Sequence, residues 1–122
     1  MASAIFRILQ QGPKYLIVTL GERGSVFAER NGKILRIPAY PEKAMVDPTG
    51  AGDAMIGGWL SSFLSTKDPL WAVSVGTGLA SLLVRSRGLS KFQWSKEELF
   101  RRSAWVYLRV KKVRRLQSFL AQ

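Results

Sequence analysis

Cysteine and histidine are both missing from this chain, and each absence removes a class of chemistry. Without cysteine there are no disulfides and no thiolate metal sites. Without histidine the usual general base and the commonest zinc ligand are gone. Proton transfer must therefore fall to Asp, Glu, Lys or Tyr. Long apolar runs are lacking too, since no stretch approaches the roughly 20 residues of a membrane span. The opening MASAIFRILQQGPK has too short an apolar stretch, and too early a Gly-Pro stop, for a secretory signal. These absences point to a soluble, cytoplasmic protein. Acidic residues are scarce, eight against nineteen Lys and Arg, which leaves a net charge of +11.

What is present is the composition of an ordinary globular protein. The 122 residues are 47% hydrophobic, enough for one domain with a real core. The charge is unevenly placed. Residues 1–84 carry eight basic against six acidic side chains, whereas residues 85–122 carry eleven against two. The basic run, from Arg101-Arg102 through Lys111-Lys112 to Arg114-Arg115, invites a nucleic-acid or anionic-surface reading. A solvated helix face is the simpler account, because Glu97 and Glu98 begin that segment and the bases end it, as the helix dipole favours. Trp105 and Tyr107 lie near the run and are expected to pack against the sheet rather than stack on bases.

The chain reads as strands first and helices after. Residues 2–11 predict a short helix stopped by Gly12-Pro13, and residues 14–20 a buried strand. Gly21-Glu22-Arg23-Gly24 is a turn. Residues 25–30 and 33–37 form two strands joined at Asn31-Gly32, a hairpin signal. Residues 44–46 are expected as a short strand that feeds Gly50-Ala51-Gly52. From residue 54 the spacing is helical to residue 65, with Gly57-Gly58 allowing close helix–sheet approach. Asp68-Pro69 caps a small-residue helix over 70–84 that closes near Gly88. Ser95 and Glu98 form a capping box for a last helix expected to run from 96 towards 116. Trp59, Trp71 and Trp94 fit core packing. The fold class is α/β in one layer-packed unit, with no internal repeat.

The sequence VDPTGAGDAM, residues 46–55, carries the chemistry. A Gly50-Ala51-Gly52 turn entering a helix offers unobstructed N–H groups at the positive end of the dipole, a geometry that binds phosphate. Asp53 in the first turn gives a pure phosphate cradle nothing, but in a phosphoryl-transfer site it can take the proton of an attacking hydroxyl. A Walker loop is ruled out because no Gly-Lys-Ser/Thr follows. A dinucleotide fingerprint is ruled out because Met55 stands at its third glycine. A plain tight turn with an acidic cap remains the bland alternative.

This decapeptide resembles the signature of the PfkB-type, ribokinase-like sugar and nucleoside kinases, and IVTLGERGS, residues 17–25, resembles the same family's nucleotide-binding strand and turn. The resemblance implies a ribokinase-like, Rossmann-like layered fold, of which this chain covers the C-terminal part: a sheet with its hairpin first, then covering helices. It implies Asp53 as catalytic base and the Gly50, Ala51 and Gly52 backbone as anion hole. It places Thr19, Leu20, Gly21, Glu22, Arg23, Gly24 and Thr77 against the nucleotide. ATP with Mg²⁺ is the implied cofactor. A monovalent cation such as K⁺ is implied beside Asp47, Thr49 and the carbonyls around Leu83, Ser86 and Gly88. Pro48 replaces the commoner threonine and Met55 the usual phenylalanine, and neither loses a functional side chain.

The family's N-terminal substrate and lid region has no counterpart among these 122 residues. Residues 1–122 are therefore expected to be a single nucleotide-binding and catalytic part, poorly active alone. The acceptor would be a small sugar or nucleoside. A homodimer, or the N-terminal half itself, would cover the strand edge and apolar face that the missing half leaves open. Tyr40 and Lys43 precede the signature and could face the nucleotide. The rival reading is a non-catalytic homologue that works through nucleotide binding, oligomerisation or its basic helix.

Overall fold

The computed structural model describes residues 2–30, 32–86 and 92–113. The chain forms two compact units, one of Met1–Pro38 with Val110–Gln122 and one of Ala39–Arg109.

The first unit is a four-stranded antiparallel sheet in the order β1-β2-β3-β4, with one helix on it. Helix α1 spans Ala2–Gln10, β1 Tyr15–Thr19, β2 Ser25–Glu29, β3 Ile34–Ile37 and β4 Lys111–Lys112. Strand alternation puts Leu16, Val18, Val26, Ala28 and Ile34 together, where Ile5 and Leu9 of α1 pack over them. Phe27 on the opposite face is fully buried and stacks on Tyr15 at 5.6 Å. In the β2–β3 connection Glu29 N–H donates to the Lys33 carbonyl at 2.8 Å, and Gly32 takes φ +96°. Asn31 itself lies outside the described residues.

The second unit is three helices and the loop that enters them. Helix α2 spans Ala51–Thr66, α3 Pro69–Leu83 and α4 Lys96–Tyr107. The caps follow the sequence: Asp68 Oδ1 accepts from Leu70 and Trp71 N–H, both at 3.1 Å, and Ser95 Oγ accepts from Glu98 N–H at 3.1 Å. Pro69 fills the first helical position of α3, where its missing N–H costs nothing. Trp71 of α3 packs between Phe100 and Tyr107 of α4, with centroids at 5.6 and 5.7 Å.

Five expectations need correction. Residues 44–46 are not a strand, because their bonds go elsewhere: Ala44 N–H to Glu42 Oε1 at 2.9 Å, and Val46 N–H to the Val84 carbonyl at 2.7 Å. Helix α2 begins at Ala51 rather than residue 54, so the signature turn is its first turn. Gly58 serves helix–helix contact, since a Cβ there would lie 3.0 Å from the Gly76 Cα, while Gly57 faces open space. Trp94 is not core but 46% exposed.

The last helix stops at Tyr107 instead of running on. Arg109 folds back, with Nη1 donating to the Trp105 carbonyl at 3.0 Å and the guanidinium 4.2 Å over the Trp105 ring, which closes the helix C-terminus. Lys111 and Lys112 then pair with Arg36 and Leu35 as β4. The open edge of β3 offers backbone partners that a longer helix would leave unused. Trp105 finds Tyr40 edge-on at 5.2 Å, so its neighbours include the entry loop. Arg114, Arg115 and Leu116 lie outside the described residues.

Candidate functional site

Gly50 sets the geometry of the signature turn. It is the N-cap of α2 at φ 84°, ψ 0°, a left-handed conformation that side chains other than glycine's resist. Its Cα rests over Leu83, since a Cβ would meet Leu83 Cδ2 at 3.4 Å. Ala51, Gly52 and Asp53 then occupy the first three helical positions, where N–H groups lack carbonyl partners one turn earlier. Ala51 N–H is given to the Pro48 carbonyl at 3.1 Å, so an anion bound through it must share that bond. A Cβ added to Gly52 would meet nothing within 4 Å, so space above its backbone is open to a ligand. Asp53 is exposed in the same turn. Open backbone at a helix N-terminus therefore fits a phosphate group, while the Asp53 carboxylate alongside adds nothing to anion binding and is suited only to taking a proton.

The loop before the turn is tied down at several points. Asp47 Oδ1 accepts from Thr49 N–H at 2.9 Å, an Asx turn. The Thr49 hydroxyl and the Thr49 N–H, in that order, hold the Asp47 carboxyl below its ordinary value against a small opposing effect of burial. Val46 and Asp47 both donate to the Val84 carbonyl, at 2.7 and 3.1 Å, and the Leu83 carbonyl accepts from Ser86 N–H at 2.9 Å. Asp47, Thr49, Leu83 and Ser86 thus gather at one end of the helical unit. Gly88, expected with them, lies outside the described residues. Thr77 sits on α3 beside Gly76, its hydroxyl returned to the Val73 carbonyl at 2.7 Å.

In the sheet unit, residues 19–24 close a tight turn after β1. Leu20 N–H reaches the Gly24 carbonyl at 2.8 Å and Gly24 N–H the Gly21 carbonyl at 3.0 Å. Gly21 and Gly24 take φ 61° and 88°, which explains a glycine at each end of GERG. Thr19, Gly21, Glu22 and Arg23 are exposed, and Leu20 and Gly24 are half-buried.

Sequence reasoning missed an ionic cluster behind the entry loop, built on one buried arginine and three half-buried partners. Arg102 of α4 is only 5% exposed. Its Nη1 lies 2.8 Å from Glu42 Oε2 and 3.0 Å from Ser81 Oγ, and its Nη2 lies 3.0 Å from Glu98 Oε1. Arg85 joins both carboxylates, 3.2 Å from Glu98 Oε1 and 3.8 Å from Glu42 Oε2. Tyr40 lies under Arg102, ring centroid 4.5 Å from Cζ. Partial burial pushes the Glu98 carboxyl up, but hydrogen bonds and charge from Arg102 and Arg85 outweigh this and hold it below its ordinary value. The signal available in the letters was the Glu98–Arg102 spacing of four on one helix, which ordinarily marks a surface pair.

The α/β arrangement, a small antiparallel sheet followed by helices, is shared with solved kinases of the ribokinase class. An E. coli protein assigned as a ribokinase II and solved with ATP and Mg²⁺ superposes with a TM-score of 0.71 at 27% identity, covering 86% of this chain and 32% of its own. The model of the pfkB family of carbohydrate kinases matches residues 1–96, and the chain belongs to that family. A nucleoside kinase of Methanocaldococcus jannaschii is 38% identical over 73 residues, 60% of this chain and 24% of the relative. A ribokinase of Staphylococcus aureus is 37% identical over 81 residues, 66% of this chain and 26% of the relative. The chain thus spans about a quarter of the length of these curated relatives. Among the described residues no helix is long and apolar enough to cross a membrane.

Proposed function

We propose that this chain is the nucleotide-binding and catalytic-base part of a PfkB-type kinase that phosphorylates a hydroxyl of a sugar or nucleoside. The observation that carries the reading is the left-handed Gly50 cap, which opens α2 with bare backbone and places an exposed Asp53 in its first turn. Mg·ATP supplies the phosphoryl group when bound. The N–H groups of Gly50, Ala51 and Gly52 hold oxygens of that group as charge develops on them. Asp53 takes the proton of the acceptor hydroxyl. By family resemblance, residues 19–24 are assigned a nucleotide contact, and Thr77 is assigned one separately. Asp47, Thr49 and the carbonyls of Leu83 and Ser86 take a monovalent cation that stiffens the turn without touching substrate.

Acceptor binding falls to polypeptide matching the rest of the relatives' length. Without it the positioning contribution is lost, about 7–11 kcal/mol of barrier, and turnover by the chain alone is expected to be slow.

Calorimetric titration with Mg·ATP tests the reading. One site per chain is expected, retained in Asp53→Ala, whose residual phosphotransfer should fall by about 10²–10⁴-fold, the usual contribution of a general base. A folded chain that takes up no Mg·ATP would sink the proposal.

A further inference from the structure

The ionic cluster of Arg102, Glu42, Glu98 and Arg85 holds two elements that meet at the signature. Glu42 uses both carboxylate oxygens: Oε2 receives Arg102 and Oε1 receives the N–H of Ala44, two residues along its own loop. On the other side Arg102 holds Glu98, Glu98 holds Arg85, and Arg85 directly follows Val84. The Val84 carbonyl in turn receives Val46 and Asp47 N–H. Residues 42 to 47 are thereby held by the charges at Glu42 and by the Val84 carbonyl, next to Arg85, at Val46 and Asp47, while Ala44 and Met45 between them stay exposed. The next residues are Pro48, Thr49 and the Gly50 cap.

We propose that Arg102 is a positioning residue for the signature segment. Its fork, engaged by Glu42, Glu98 and Ser81, sets where residues 46–53 lie against the end of α3. The inference rests on the phosphotransfer reading for its functional meaning, though not for its geometry. Taking the Arg102 charge out of water offsets much of what its half-buried partners return, so the contribution proposed for the cluster is a fixed arrangement rather than net stability. The cluster also joins a loop to two helices, where most of the loop's other bonds are single contacts to backbone. Lysine cannot replace the arginine, because one ammonium cannot span three acceptors that a planar guanidinium meets together.

Amide hydrogen exchange on Glu42→Ala and Glu42→Gln decides the matter, with α3 amides 72–82 as the internal reference. Glu42→Ala is expected to speed exchange at 46, 47, 49 and 51 by about tenfold while the reference changes less than about twofold. Glu42→Gln keeps the shape and an acceptor for Ala44 but loses the charge, and should fall between it and the wild type. Arg102→Lys, if folded, should behave like Glu42→Ala rather than rescue the loop. Equal acceleration in the signature segment and in α3 would reduce the cluster to a general stabiliser and overturn the inference, as would no change in either. A parallel Mg·ATP titration separates the two readings. Wild type that fails to bind nucleotide defeats the phosphotransfer reading and leaves the exchange comparison standing. Wild type that binds, with 46–53 unmoved in the variants, defeats the positioning role alone.

Discussion

Gly76 has no room for a side chain. A Cβ there would collide with the Met55 carbonyl oxygen, a backbone atom of α2 that cannot swing aside. Gly58 faces the same contact from the other helix, and Met55, buried beside them, fills the gap with its flexible side chain. Gly76→Ala is therefore expected to cost about 2–3 kcal/mol, the usual penalty of overpacking a close contact. Gly57→Ala, on the exposed side of α2 with nothing within 4 Å, should instead add about 0.5–1 kcal/mol through helix propensity. Urea unfolding midpoints of the two variants check both signs, and a neutral Gly76→Ala would mean the helices can part freely. The sequence exposed Gly57-Gly58 as a site of close approach but not which of the two mattered, nor that its partner was a helix. Spacing along one helix shows that a face is bare, whereas the partner is chosen by tertiary packing.

At the scale of elements, what was legible was what is local. Asp68-Pro69 and Ser95 marked helix starts because a cap is a bond between neighbours in sequence, and both caps stand where the letters put them. Asp68→Ala removes an acceptor shared by two N–H groups and should lower stability by about 1 kcal/mol, read as a fall in melting temperature. No fall would mean that the Pro69 ring and the α2–α3 packing fix the start without it. The GAGD turn and the glycines of GERG were readable for the same reason: φ values of 84°, 61° and 88° belong to single residues. Elements that depend on distant partners were not. Residues 44–46 have strand-like letters, yet their N–H groups find Glu42 and Val84 instead of another strand. The end of α4 is set by Arg109 turning back on Trp105 and by the open edge of β3, and neither is visible in a run of basic residues. Among the described strands β4 is the outermost beyond β3, and its two exposed lysines place charge there that discourages pairing with a further strand.

For the molecule as a whole, the unresolved balance is between an apolar surface and a large charge. Helix α2 buries Met55 and Gly58 on one side, while Ile56, Leu60 and Leu64, four residues apart on the other, are 59%, 48% and 67% exposed. A helix with apolar side chains on two sides is ordinarily covered on both. The chain alone is therefore expected to self-associate through this stripe, against the repulsion of +11 charges. Salt acts on the two contributions differently. Raising it from about 50 to about 500 mM shortens the Debye length from roughly 14 to roughly 4 Å, which screens repulsion and leaves apolar contact intact. Association by light scattering should thus strengthen with salt, and Leu60→Asp should abolish it with little change in melting temperature. Binding of DNA or RNA to the basic residues would run the other way, because it releases counterions and weakens as salt rises. A chain that stays monomeric throughout the series would show that three exposed aliphatic side chains are tolerated uncovered, and α2 would lose its claim to an interface. A Leu60→Asp variant that melts early would place the side chain in the core of the helical unit, contrary to its exposure.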